Sequence, residues 1–380
     1  MNIGTPGQPL RVAVDTGSDE LWVNPVCSSP TLDEQQQLEC RRDGHYVANR
    51  SSTSTALAGQ KAISYGKGDV LIDYYTDTVS QPETAITAAK VQFGVARLSQ
   101  DLNEGILGLG FGNGKNLKYN NFVDELAAQN LTRSRAFSVA LGSAETNNGG
   151  VITFGGVDTK KFTGRLAALP ILPPQAPEPV HRYWVRMDSI SIAQPGHAPR
   201  MYANSSAPVV VDSGSSLSYL PAGVVRSMAQ DLRGVWDRAA RLYFVPCGQA
   251  TASAGGSFEF AFGGGAATVV VPFSEFIWNV DGRNCVLGAA PVDPGSGVTA
   301  LLGDTFLRSA YVVFDQTSRA LYVAPYANCG QNEHVLPEEP GAALNFTGEC
   351  QPKKNAAGRT RYGGAAWVAV AAAAGLVSVL

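Results

Sequence analysis

"VAVDTGSDELWV", residues 12–23, carries an apolar run straight into one carboxylate, and a Thr-Gly-Ser bend follows at once. Alone this is ordinary turn chemistry, because Asp, Gly and Ser all favour bends. The chain then repeats it. "VVVDSGSSLSYLP", residues 209–221, again brings an aspartate out of an apolar run into Ser-Gly-Ser. A second layer accompanies each copy. The triplet "ILG" ends at Gly108, 93 residues after Asp15, and "LLG" ends at Gly303, 91 residues after Asp212. Two motifs in one order at nearly one spacing mark an internal duplication. The expected architecture is mostly β and bilobal: two β lobes related by a pseudo-twofold axis, a cleft between them, and one carboxylate from each lobe at their interface.

The totals agree. The 380 residues, 44% hydrophobic, suffice for a large core in two lobes. Gly 41 and Pro 22 punctuate many short Val/Ile/Phe/Tyr runs, as in a mostly β protein. A net charge of −3 leaves no electrostatic footprint for nucleic acid, so none is expected as a partner. Cys27, Cys40, Cys247, Cys285, Cys329 and Cys350 include no Cys-x-x-Cys pair, which disfavours zinc. Their even number and wide separation fit three disulfides in an oxidising compartment. Sequence order suggests Cys27–Cys40, Cys247–Cys285 and Cys329–Cys350, although fifteen connectivities are formally open. Sequons at Asn49, Asn130, Asn204 and Asn345 point the same way, to glycosylation in the secretory pathway. His45, His181, His197 and His334 show no metal spacing and read as surface residues; no metal and no cofactor is expected.

Five segments follow from composition: a first lobe over 1–168, a proline-rich connector over 169–180, a second lobe over 181–327, an acidic, loop-like tail and spacer over 328–364, and an apolar segment over 365–380. Helices are expected at 120–131 and, after Pro221, at 222–233. A hairpin is expected at 310–325, and "DEQQQLECRRD", 33–43, reads as a solvated mixed-charge loop. "MNIGTPGQPL" has no basic or apolar leader. At the other end, small residues from Asn355, a polar spacer through Gly364 and a short apolar tail match a glycolipid (GPI) attachment signal with Asn355 as the attachment point. Sixteen apolar residues span about 24 Å as a helix, short of the roughly 20 residues a bilayer crossing takes; a marginal tail anchor is the alternative. An anchoring signal without a secretion leader is contradictory, so an amino-terminal segment is expected to be missing.

The chemistry explains the residue choices. Two carboxylates about 3 Å apart cannot both ionise, so they share one proton. A water between them can give a proton to the ionised member while the other donates to a substrate carbonyl. Gly17 and Gly214 leave room for the partner loop to approach. Thr16 and Ser213 can bond across the interface. Ser18 and Ser215 can donate to the outer carboxylate oxygens, orienting them and holding the pKa low.

At this point the chain resembles the pepsin-like aspartic proteases, over nearly its whole length. "IGTPGQ", "DTGS…LWV", "ISYGKGD", "EGILGLG", "FGGVDTKKFTG", "YWVRMDSISI", "VVDSGSSLSYLP" and "LLGDTFLR…YVVFD" stand in that family's order. The tail and "NLTRSRAFSVALG" look most like the fungal, glycolipid-anchored yapsin-like branch. The resemblance implies an aspartic endopeptidase, monomeric, acting on polypeptides at acidic pH, with Asp15 and Asp212 as the catalytic pair. It implies that Tyr65 belongs to a flap closing over substrate with Gly66, Lys67 and Gly68, and that Trp22 hydrogen-bonds Tyr65. It also implies the Cys27–Cys40 and Cys247–Cys285 disulfides, with Cys329–Cys350 outside the common core. The family carries a strand before "IGTP" that this chain lacks, so one edge of the interlobe sheet is expected to be open. A non-catalytic anchored binding protein on the same fold is the rival expectation, opposed by two intact Asp-Thr/Ser-Gly motifs.

Overall fold

The computed structural model describes residues 1–28, 32–82, 84–102, 104–144 and 150–351, and the backbone of 378–379. Asn355 lies outside them, as does the carboxy-terminal apolar segment apart from the backbone of 378–379. Among the described residues no helix is long and apolar enough to cross a membrane.

The duplicated motifs fold alike. Val12–Asp15 runs parallel to Gly105–Gly108, with Asp15 in register with Gly108, and Leu21–Val23 returns antiparallel on the far side of the same strand. In the second half Val210 and Val211 run parallel to Leu301 and Leu302, and Tyr219 pairs antiparallel with Leu301. Each aspartate loop therefore passes over the end of an "ILG" or "LLG" strand. Glycine ends those strands for a steric reason: a Cβ on Gly108 would lie 2.4 Å from the Glu20 nitrogen, and one on Gly303 would lie 2.2 Å from the Ser215 carbonyl oxygen.

Each lobe builds an eight-stranded sheet around this unit. The first runs Gln8–Pro9, Asn2–Ile3, Asp69–Ser80, Thr87–Gln100, Leu21–Val23, Gly105–Gly108, Val12–Asp15, with Thr55–Ser64 paired to Asp69–Ser80. The second runs Ala267–Pro272, Ser257–Phe262, Trp184–Ala193, Ala207–Val211, Leu301–Leu302, Ser218–Pro221, Ala289–Val292, with Arg200–Met201 paired to Trp184–Ala193. Strict alternation sends Phe258, Phe260, Phe262, Val269 and Val271 inward and their neighbours out. Burying each such side chain is worth about 1.5–3 kcal/mol.

A third, six-stranded sheet joins the lobes, in the order Ala167–Pro170, Ala320–Pro325, Ala310–Asp315, Ala136–Ala140, Val151–Phe154, Ser378–Val379. All residues of Ala310–Asp315 are buried, the mark of a strand covered on both faces. The hairpin expected at 310–325 is thus its centre. The edge expected to be open is taken by Ser378–Val379. Beside it a cavity of ≈460 Å³ opens between Met1, Leu10 and Val14 on one side and Ile152 and Phe154 on the other.

The expected helices appear as Phe122–Ala128, capped by Asn121, and Ala222–Asp231, whose Val224, Val225, Met228 and Ala229 face the core. All three disulfides, Cys27–Cys40, Cys247–Cys285 and Cys329–Cys350, are formed. Several readings need correction. The 33–43 stretch is no solvated loop but the helix Glu34–Asp43. An Asp33/Gln36 capping box starts it, and buried Gln36 donates to the Ser99 and Leu102 carbonyls. The stretch after Cys329 is not merely loop: Glu333–Val335 pairs with Gly156–Asp158, and Thr347–Glu349 with Thr163–Arg165. Three-residue strands are too short to show a period. The proline-rich connector begins later than expected, because Leu169 and Pro170 belong to a strand. Of the four histidines only His197 is exposed; His45, His181 and His334 are half-buried.

Candidate active site

The two loops meet face to face, Asp15 and Asp212 being only 5% and 8% exposed. Their carboxyl groups lie close enough for Asp212 to act directly on Asp15, each pressed against the glycine of the opposite loop. Each is held in the same way by its own loop. Gly17 N–H donates to Asp15 Oδ1 at 2.8 Å, and Gly214 N–H to Asp212 Oδ1 at 2.8 Å. The Ser18 hydroxyl donates to Asp15 Oδ2, and that of Ser215 to Asp212 Oδ2 at 2.8 Å.

Four crossed bonds lock the loops together. Thr16 N–H donates to Ser213 Oγ (3.1 Å) and Ser213 N–H to Thr16 Oγ1 (3.0 Å). Beyond them Thr16 Oγ1 donates to the Val211 carbonyl (2.9 Å) and Ser213 Oγ to that of Val14 (2.7 Å). The pattern is its own mirror under exchange of the lobes, as a duplication requires.

Burial pushes the Asp15 carboxyl up to about 7, and the charge of Asp212 adds to it. The expectation that Ser18 holds this pKa low is corrected: Ser18 and Gly17 do lower it, but desolvation and the neighbouring acid outweigh them. A folded-state value above the ordinary 3.8 means that the folded protein holds a proton there which the unfolded chain releases. The associated stability is complete below pH 3.8 and is lost as pH rises through about 7. The melting temperature should therefore fall across that interval, and less steeply in Asp15→Asn. Thermal unfolding read at several pH values checks this; a variant slope equal to the wild type contradicts it.

The hairpin expected to act as a flap is formed by Thr55–Ser64 and Asp69–Ser80 and closed by Tyr65 N–H donating to the Gly68 carbonyl at 2.9 Å. Gly68 sits at φ +85°, where a Cβ would also strike the Gln100 carbonyl at 2.3 Å, whereas nothing lies near Gly66. Trp22 Nε1–H donates to the Tyr65 hydroxyl at 2.8 Å, and both pack with Val70, Ile72 and Ile106. Lys67 is exposed at the tip.

Two acids escaped the sequence reading. Glu20 is buried, accepts from the Tyr74 hydroxyl (2.5 Å) and the Tyr119 hydroxyl (2.7 Å), and pairs with Lys61 on the flap strand (3.1 Å). Asp304, next to Gly303, donates its N–H to the Ser215 carbonyl at 2.8 Å. Its buried Oδ1 has no hydrogen-bond partner among the described residues, and burial raises its carboxyl to about 7, with Arg308 opposing and Asp212 adding. The only hint of either was an acid adjoining a motif already noted. A Cys27–Cys40–His45 group has the spacing of a metal site, but the two sulfurs are bonded to each other and neither is a free thiolate.

The geometry agrees with the comparisons. The chain is 32% identical over 342 residues to a probable aspartic-type endopeptidase opsB of Aspergillus fumigatus, a match covering 85% of this chain and 67% of the relative. It is 32% identical over 328 residues to secreted aspartic protease 8 of Candida albicans, covering 85% and 74%. The crystal structure of an aspartic proteinase from Irpex lacteus superposes with a TM-score of 0.66 at 24% identity, covering 86% of this chain and 93% of that one. The eukaryotic aspartyl protease family matches residues 1–326. The chain belongs to that family and is a pepsin-like aspartic endopeptidase.

Proposed function

We propose that the protein hydrolyses peptide bonds in extended polypeptides at acidic pH, using a water activated between Asp15 and Asp212. The observation that carries this is the close approach of two buried carboxyls, one from each lobe, with one pushed up to about 7. Such a pair holds one proton over the acid range. The ionised member takes a proton from water, and the protonated member donates to the scissile carbonyl as water attacks. The member that took the proton of water then gives it to the nitrogen as the C–N bond breaks, while the other takes a proton back from the hydroxyl made on the carbonyl oxygen, so the pair ends with the one proton it began with. The reaction so written asks for no metal or cofactor. The substrate lies as a strand beneath the Tyr65 flap, its backbone hydrogen-bonded and alternate side chains in pockets.

Acting as a monomer, the protein works in the secretory pathway and at the cell surface. Support comes from three disulfides and from the exposure of Asn49, Asn130, Asn204 and Asn345, as glycosylation demands. A relative named as a secreted aspartic protease adds to it. Attachment by GPI at Asn355 rests on the sequence pattern.

The test is cleavage of a peptide library at acidic pH, with and without a statine-type transition-state mimic. Inhibition is expected; uninhibited cleavage removes the aspartate pair from the mechanism, and no cleavage returns the protein to the rival role of a binding module. The same library reads specificity. Exposed Lys67 at the flap tip repels a basic side chain before the scissile bond, so large apolar residues are expected there. A strong Lys/Arg preference contradicts this.

A further inference from the structure

Asp19 lies four residues beyond Asp15, where the first loop turns back into the sheet. It faces the other lobe, with a side chain only 12% exposed. Its Oδ1 accepts the Phe111 N–H at 2.7 Å, and the Asn116 amide spans both of its oxygens at 3.1 and 3.0 Å. All of these are first-lobe groups. The remaining partner is not: Arg182 Nη1 donates to Asp19 Oδ2 at 2.9 Å, while Nη2 donates to Glu178 Oε1 at 2.8 Å.

Arg182 lies just past the proline-rich connector, at the start of the second lobe, and Trp184–Ala193 begins two residues later. That strand pairs with Ala207–Val211, which delivers Asp212; Trp184 is in register with Val210. A short path thus joins the first carboxyl, through Asp19 and Arg182, to the strand that carries the second. A second strut runs beside it: Asn116 donates to the His181 carbonyl at 2.8 Å and accepts the His181 N–H at 3.0 Å. The guanidinium side chain is 15% exposed, so this is not a solvated surface pair of negligible effect. Removing one partner leaves the other charge in a site poor in water.

The crossed bonds of Thr16 and Ser213 hold the inner faces of the two loops, and the Gly110 N–H donating to the Ser18 carbonyl at 2.8 Å fixes the first loop within its own lobe; the Asp19–Arg182 pair ties the outer face of that loop to the other lobe. We propose that Asp19 and Arg182 are positioning residues: an interlobe clamp that sets the angle between the lobes and so keeps the two carboxyls close together. The inference rests on the dyad mechanism and adds to it a constraint from outside the repeated motif. No such acid follows Ser215, whose next residue is Ser216, so the clamp is one-sided and not part of the duplication.

The experiment uses the full chain with Arg182→Met, Arg182→Lys, Asp19→Asn and the double variant Asp19→Asn/Arg182→Met. In each, active sites are titrated with a tight statine-type inhibitor so that kcat refers to folded enzyme. The clamp predicts at least a tenfold lower kcat for Arg182→Met with KM nearly unchanged. Inhibitor affinity should fall in step with kcat, Arg182→Lys should recover part of the loss, and the double variant should be no worse than the poorer single. A folded Arg182→Met with wild-type kcat per titrated site overturns the proposal, even if its melting temperature drops. If Arg182→Met does not fold, Asp19→Asn, which keeps its shape and its Phe111 bond, carries the same test. Turnover surviving in Asp15→Asn would instead defeat the dyad mechanism, so the two failures are distinguishable.

Discussion

Turnover by Asp15→Asn and by Asp212→Asn falls by about 10²–10⁴-fold, the range for removing a positioned acid–base group, while binding of an extended peptide changes little. Asparagine matches aspartate in shape. At position 15 its carbonyl still accepts the Gly17 N–H that holds Oδ1 at 2.8 Å, and at 212 it still accepts the Gly214 N–H at 2.8 Å. What it cannot do is share a proton. The wild-type pair works while it holds one proton, so activity falls when both groups are protonated at low pH and again when the proton is lost. With Asp15 raised to about 7, the upper limb lies near neutrality rather than at ordinary carboxylate values. Single-turnover cleavage of a fluorogenic peptide across pH, with peptide affinity measured separately, gives both quantities. A variant that cleaves near the wild-type rate removes its aspartate from the mechanism.

The architecture was legible because duplication doubled each weak signal. One such motif means little, but two, each followed at similar distance by a glycine-ended apolar triplet, pointed to two similar lobes; the structure adds the parallel pairing of Asp15 with Gly108 and of Val211 with Leu302. The flap contact of Trp22 with Tyr65 came from family resemblance rather than from residue pattern, and the hydrogen bond is formed. What stayed hidden depends on partners distant in sequence. Glu20 looks like any acid until Tyr74, Tyr119 and Lys61 close around it. Asp304 is unremarkable until the fold buries it beside the Ser215 loop. Composition misjudged the Glu34–Asp43 helix because its charges outweighed a capping box that was there to be read. The pKa of Asp15 shows the same limit in another form: hydrogen-bond donors are visible as sequence neighbours, whereas desolvation is a property of the whole interface.

The loop glycines are the second place where a small change should be ruinous. A Cβ on Gly17 would stand 2.4 Å from Asp212 Oδ1, and one on Gly214 would stand 2.3 Å from Asp15 Oδ1. Neither carboxyl can swing aside cheaply, because each is tied on both oxygens by its own loop. The strain is therefore relieved by parting the loops, which stretches the crossed Thr16–Ser213 bonds and separates the acids. A displacement of about 1 Å at a reacting centre costs on the order of 10²-fold in rate, so Gly17→Ala and Gly214→Ala should each lose at least that much. They should also differ from the asparagine variants in kind. Both acids remain, but with Asp212 farther away the Asp15 carboxyl moves down toward its ordinary range, and the upper limb of the pH profile moves to lower pH. Gly223→Ala is the control, since its Cβ would meet no atom within 4 Å. Rates and pH limbs of the three variants, measured on the same peptide, separate the possibilities. If Gly17→Ala and Gly214→Ala behave like Gly223→Ala, the close approach of the loops is not what makes the acids work.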